Sequence, residues 1–475
     1  MNYKIGDHMQ NYVNNDKKVI NVNYIFMCLL LIVSTVICSI YITNIINNVS
    51  IFISGILILF NFFLVLYIII KYIKDIFSII LFFAVTNLFF GFVIRPILSI
   101  NMNYFLLYNN NLLNITKIFL FNVALILNII TIILYLFGYN IGQKFKLLHL
   151  MRSKHYSLLK LKYITIILLL FVLFLFLLFI QLTGKSFLAT NRDITVTNLL
   201  LLGKYFFVIV PILTYLPALS LIYCLNMKSA NSVFARYFFF LLVSFISIII
   251  LFLFYQRGYM LQAFLGVIIV LKKYQKMNLR RLIIFGFIGI LILLFARDFY
   301  NLIFGINTFS QSLNTNFIYN KLLYSPNFDY LDVYVNFLNF IQHNHITFGT
   351  NLVAQIFRFL PFSIRKNLPI LTMTDMLNKF NDPIGYEKGF GFTVPILLDF
   401  MGAFGVFGIL LMVLPGFFTG ISDKIINKKN ENIGEIILSI TLFNIGSLWG
   451  PLDIQYITLN LFIFLIIVTF IKCKS

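Results

Sequence analysis

Long apolar runs dominate this chain, and their length decides what it can fold into. A run of about 20 apolar residues crosses the roughly 30 Å hydrocarbon layer of a bilayer as a helix, because a helix satisfies its own backbone where no water is present. About twelve such runs lie at 24–46, 50–70, 77–100, 116–139, 161–183, 200–226, 237–256, 258–272, 282–304, 392–420, 434–450 and 454–471. Charged residues make up 11% of the chain, against about 25% in soluble domains. The expected fold is therefore an all-α polytopic membrane protein with about twelve transmembrane helices.

The formal charge of +21 raises nucleic acid as a partner, but the placement of the cations sets it aside. With the N-terminus inside, every cytoplasmic segment is basic. Lys71 and Lys74 follow the second run; Lys144, Lys146, Arg152, Lys154, Lys160 and Lys162 follow the fourth. Lys272, Lys273, Lys276, Arg280 and Arg281 follow the eighth, Lys424, Lys428 and Lys429 the tenth, and Lys472 and Lys474 the last. This is the positive-inside pattern, and it puts both termini in the cytoplasm. The first 23 residues are polar and run directly into an apolar span, so no cleavable leader is expected. Cys28, Cys38, Cys224 and Cys473 show no metal-ligand spacing. No metal and no cofactor is expected.

One polar stretch interrupts the apolar pattern. Residues 297–391 form a large external segment between a membrane bundle at 1–296, whose ninth span ends near 304, and C-terminal spans at 392–475. A connection of about 90 residues is usually functional. Within it Asp329, Asp332, Asn336, Asn339 and His343 recur at intervals of three and four, opposite Leu331, Val335 and Leu338. That spacing predicts an amphipathic helix with a polar stripe, suited to a hydrated cavity, a sugar or plain solvent. His343 continues the stripe and is the side chain best suited to move a proton near neutral pH. Arg257 and Arg297 sit at external span ends, where a cation opposes the inside bias. Each either grips a phosphate through its fork of donors or snorkels to headgroups. Arg95, also at an external end, reads as structural. Arg358 and Arg365 flank Pro361, which stops a helix between them. Gly385, Gly389 and Gly391 surround Glu387 without the strand and helix that a phosphate loop needs. Gly402, Gly405 and Gly408 suit close helix packing. Apart from Asp399, near an end, the spans read as almost free of acidic residues, which argues against an ion-coupled carrier.

The stretches RGYMLQAFLGVIIVLKK, FDYLDVYVNFL, FGTNLVAQIFRFLP and GFGFTVPILLDFMGAFGVFGILL together resemble the O-antigen polymerase (Wzy) family of oligosaccharide repeat-unit polymerases, over roughly residues 240–412. The family's Pro-Arg is displaced here, since Arg358 precedes Pro361 and Arg365 follows it. The resemblance implies a GT-C-like membrane glycosyltransferase in a bacterial inner membrane. It would polymerise undecaprenyl-diphosphate-linked oligosaccharides at the external face into O-antigen or capsule, alongside a chain-length regulator. On that reading Arg257, Arg297, Arg358 and Arg365 neutralise the departing diphosphate. His343 takes the acceptor proton, with Glu387 and Asp332 as alternatives. Asp329, Asn336 and Asn339 contact sugars. An O-antigen ligase uses the same donor, and a flippase for the lipid-linked unit accommodates the same span count. No internal repeat favours the flippase.

Overall fold

The computed structural model describes residues 49–72, 84–102, 115–145, 156–183, 203–227, 233–253, 257–274, 330–344, 346–357, 367–387, 394–428, 432–445 and 454–472. Among them the fold is nearly all helical. An isolated bridge between Tyr156 and Lys472 is the extended pairing present. The helices are α1 (Val49–Tyr72), a wide π-wound segment (Ala84–Ile94) leading into α2 (Arg95–Met102), α3 (Ile115–Lys144), α4 (Leu158–Thr183), α5 (Gly203–Asn226), α6 (Val233–Leu253) and α7 (Arg257–Lys273). The long segment between α7 and the C-terminal spans contributes α8 (Tyr330–His343), α9 (Thr350–Ile356), α10 (Met373–Asn381) and α11 (Pro383–Glu387). The chain then forms α12 (Ile396–Phe404), a 3-10 segment (Gly405–Met412), α13 (Val413–Asn427), α14 (Ile433–Ile445) and α15 (Ile454–Ile471). Among the described residues, five stretches are long and apolar enough to cross a membrane: Phe52–Tyr72, Ile118–Lys144, Leu158–Gln181, Val208–Asn226 and Ile396–Asn427. The first and ninth expected spans, 24–46 and 282–304, lie outside the described residues.

The packing centres on α3, which lies between α1 and α13. Lipid offers apolar side chains no incentive to leave it, so helices associate through close backbone approach and polar pairs. Both devices are present. Gly138 and Gly142 of α3 face Gly416 and Gly420 of α13, four residues apart on each helix. A Cβ at any of them would lie 2.0 to 2.2 Å from a carbonyl oxygen of the other helix. Tyr135 then reaches Thr419 at 2.8 Å and Tyr139 reaches the Asp423 carboxylate at 2.7 Å. On its other side α3 meets α1 through Ser54 and Asn122 (2.6 Å), Asn61 and Asn128 (2.7 Å), and Tyr72 and Asn140 (3.3 Å).

The lysine-bearing ends meet at one end of the bundle. Lys424 donates to the Phe145 carbonyl (2.8 Å), Lys272 to Asn427 (2.5 Å) and Lys160 to the Lys472 carbonyl (3.2 Å). The turns that the charge pattern assigns to a single side therefore do share one. On the periphery α4 exposes Leu159, Leu170, Phe174 and Leu177, while α6 exposes Leu241 and Phe245. Such apolar faces suit hydrocarbon as the solvent.

The tenth expected span departs from the sequence reading in two ways. It is not one helix over 392–420, because the Gly402 carbonyl accepts from the Thr347 amide (2.9 Å) and hydroxyl (2.8 Å). Gly405 then turns left-handed, at φ 61°, a conformation that glycine adopts without penalty. The helix also runs on to Asn427 and so encloses Asp423, fully buried and bonded to Tyr139. The spans are thus less free of acidic residues than their sequence suggests. Hydropathy places Asp423 with the basic turn, and only the continuing helix carries it inward.

Candidate functional site

The end of the bundle away from the lysines carries the helices of the long segment between α7 and α12. Helix α8 packs on α3, the π-wound segment, α10 and α12, and α9 packs on α12 and α15. The amphipathic helix expected from Asp329 to His343 forms over Tyr330–His343, but its stripe is not a uniform wet face. Asp332 is 1% exposed and Asn336 6%; Asn339 is half-buried and His343 exposed. Leu331 and Val335, on the opposite side, are buried too. The N-terminal half of α8 is therefore enclosed on all sides, and only its C-terminal end opens outward.

The enclosed half is fixed by an ion pair. Arg95 Nη2 donates to Asp332 Oδ2 at 2.5 Å, with both side chains 1% exposed. Such a charge is tolerated in an apolar interior only with a partner. Phe92 meets Tyr334 edge-on at 5.4 Å. Burial pushes the Tyr334 phenol well above its ordinary range, against the opposing effect of its hydrogen bond with Thr131, so it stays protonated.

This geometry corrects the role of Asp332. Its carboxylate is committed to a guanidinium and shut away from solvent. It also lies eleven residues from His343, roughly 16 Å along the helix. Asp332 and His343 cannot serve one reacting centre, and Asp332 acts as the anchor of α8. Asn336, equally enclosed, is not disposed to meet a sugar.

At the open end, His343 Nδ1 lies 2.8 Å from the Asn339 carbonyl. A carbonyl only accepts, so Nδ1 carries the hydrogen and the neutral ring keeps its lone pair on Nε2. The ring leans on Phe380 of α10 at 6.1 Å, and Phe340 meets the same Phe380 edge-on at 5.4 Å. Helix α10 is held in turn by its own cap, where the Thr372 hydroxyl accepts from the Asp375 amide (3.1 Å) and donates to the Asp375 carboxylate (2.7 Å). This reciprocal arrangement is a variant of the capping box.

A second enclosed cluster joins α9 to α12. Asn351 donates to the Asp399 carbonyl (2.9 Å), Gln355 reaches the Asp399 carboxylate at 3.4 Å, and the Thr347 hydroxyl shares its one hydrogen between the Gly402 carbonyl and Asn351 Oδ1 (2.7 Å). All of Asn351, Gln355 and Asp399 are fully buried. These residues, together with Arg95, were not among the sequence candidates. Arg95 and Asp332 lie 237 positions apart, so no local pattern could pair them. Asn351 and Gln355 at i, i+4 on a short helix are the one signal that a sequence reading could have used.

Among the arginines, Arg257 opens α7. That end of α7 is tied to α15, with Tyr456 donating to Gln262 at 2.5 Å and stacked obliquely on Tyr259 at 5.4 Å. Glu387 closes α11. The side chains of Arg257 and Glu387, and all of Arg297, Asp329, Arg358 and Arg365, lie outside the described residues. Among the described residues no group of three or more His, Cys, Asp or Glu is placed to hold a metal ion. No protein-family model, curated protein or solved structure matches the chain.

Proposed function

We propose that the protein is a membrane glycosyltransferase that polymerises undecaprenyl-diphosphate-linked oligosaccharides, with the lysine-rich end in the cytoplasm and α8 to α11 on the external face. The observation that carries this reading is His343. It stands exposed at the end of a helix whose other end is anchored by a buried ion pair, and its protonated Nδ1 is engaged so that Nε2 is the basic atom. A hydroxyl oxygen of the acceptor sugar attacks the anomeric carbon of the donor's first sugar. The bond from that carbon to the phosphate oxygen breaks, undecaprenyl diphosphate leaves with the electron pair, and the hydroxyl proton passes to His343 Nε2. Arg257, Arg297, Arg358 and Arg365 are the cations we assign to the departing diphosphate. Glu387 is the alternative base, and Asn339 the sugar contact nearest His343. Twelve spans and a GT-C-like arrangement belong to the same proposal. The test is a polysaccharide ladder from cells lacking the gene, complemented with wild type or His343→Gln at equal expression. Loss of the ladder with retention of the single repeat unit supports the reading, and restoration by His343→Gln refutes it.

One observation favours a second reading. Asp423, buried at the lysine-rich end of α13 and bonded to Tyr139, is an enclosed carboxylate of the type that ion-coupled carriers use, and it favours the flippase. A carrier would move the lipid-linked unit across the bilayer without breaking a bond.

A further inference from the structure

The turn Ile346–Gly349, between α8 and α9, carries a large aromatic side chain into the open. Phe348 is 86% exposed and adopts a positive φ of 49°, a conformation uncommon for a non-glycine residue. Two contacts hold the turn against the tenth span. The Thr347 amide and hydroxyl take the Gly402 carbonyl, and Ile346 lies where a Cβ on Gly405 would sit 2.8 Å from it. The surface beside the turn is apolar as well: Phe404 is 47% exposed, Val406 74% and Phe407 79%. In water this would be an unfavourable grouping of side chains.

The depth of this surface follows from helix geometry. The 3-10 segment Gly405–Met412 rises about 2.0 Å per residue, and the α-helix from Val413 to Lys424 about 1.5 Å. Gly405 therefore stands roughly 32 Å above Lys424, whose ammonium is bound at the lysine-rich end. A hydrocarbon layer is roughly 30 Å thick. If its lower boundary lies at Lys424, its upper boundary falls at about Val406–Phe407, level with the turn that Gly402 and Gly405 hold.

We propose that Ile346–Gly349 is a membrane wedge, with Phe348 and Ile346 inserted among the lipid acyl chains at the boundary of the leaflet opposite the lysine-rich end. The occupant is lipid hydrocarbon, because the apolar surface of the turn is continuous with that of a membrane-crossing helix. The wedge and the Gly402 carbonyl bonds then fix the height of α8 and α9 relative to the bilayer. This inference does not depend on the proposed reaction.

Trp449 is the single tryptophan of the chain, so fluorescence can test the wedge directly. Phe348→Trp is made in a Trp449→Phe background, reconstituted in phosphatidylcholine vesicles and compared with lipids brominated at shallow and deep acyl positions. Phe407→Trp in the same background is the lipid-facing reference. The wedge predicts blue-shifted emission from Phe348→Trp, quenched most by shallow bromines. Red-shifted emission quenched by aqueous iodide would overturn the proposal. Blue-shifted emission that bromines leave unquenched would overturn it as well, because it would show protein, not lipid, covering the turn.

Discussion

Replacing Gly416 by alanine adds one methyl group where α13 packs directly on the backbone of α3. Its Cβ would lie 2.1 Å from the Tyr135 carbonyl oxygen, where real Cβ atoms essentially never come closer than 3.0 Å to a neighbour. The neighbour is backbone, so a rotamer change cannot relieve the clash and α13 must move off α3 by 0.9 Å or more, the difference of those two distances. That movement stretches the Tyr135–Thr419 and Tyr139–Asp423 bonds, now 2.8 and 2.7 Å, beyond hydrogen-bond reach. Overpacking of this kind costs about 1–3 kcal/mol, and an interhelical hydrogen bond in a membrane contributes about 0.6–1.7 kcal/mol. With both bonds lost the sum is about 2–6 kcal/mol, a fall in melting temperature on the order of 5 °C. Loss of the monodisperse size-exclusion peak on heating in detergent measures it. Gly258→Ala is the control, since a Cβ there meets nothing within 4 Å. Gly266→Ala, whose nearest neighbour would be 3.5 Å away, should melt close to wild type. Equal melting of Gly416→Ala and Gly258→Ala would refute the interlocked packing of α3 and α13.

Other perturbations have equally definite outcomes. Arg95→Ala or Asp332→Ala leaves a buried charge without its partner and should cost about 3–5 kcal/mol. A double-mutant cycle on thermal stability should show the double variant to be less damaged than the sum of the single ones. Tyr139→Phe removes a donor from buried Asp423 and should cost about 1–3 kcal/mol, whereas Tyr135→Phe, which deprives only a threonine hydroxyl, should cost less in the same melting assay. Thr347→Val withdraws the hydroxyl from the Gly402 carbonyl while keeping the amide bond. Limited proteolysis between α8 and α9 should then be faster without a change in global melting.

Much of the fold is legible in the sequence because apolar length and lysine placement are local signals with strong physical causes. The runs at 50–70, 116–139, 161–183 and 200–226 fall on α1, α3, α4 and α5 within a few residues. The periodicity from Asp329 to His343 locates α8 for the same reason. Contacts between distant segments are not legible. The spacing of Gly138 and Gly142, and of Gly416 and Gly420, is plain in the chain, but which helix meets which is set by the whole bundle. Arg95 reads as an ordinary boundary cation until α8 folds back over it. Asp332 reads as wet because it lies on a polar stripe, and it is dry because that stripe faces a guanidinium. Asp423 is misjudged because hydropathy ends a span where polarity rises, while hydrogen bonding carries the helix about two more turns, to Asn427.

The central claim is that this protein lengthens a lipid-linked glycan. The most direct measurement uses purified protein in liposomes with undecaprenyl-diphosphate-linked oligosaccharide as both donor and acceptor. Product length and released undecaprenyl diphosphate are followed together. The account predicts a ladder of longer glycans with one undecaprenyl diphosphate freed per linkage formed, and neither product from His343→Gln. Translocation of intact lipid-linked oligosaccharide with no linkage formed would contradict it and establish the carrier instead.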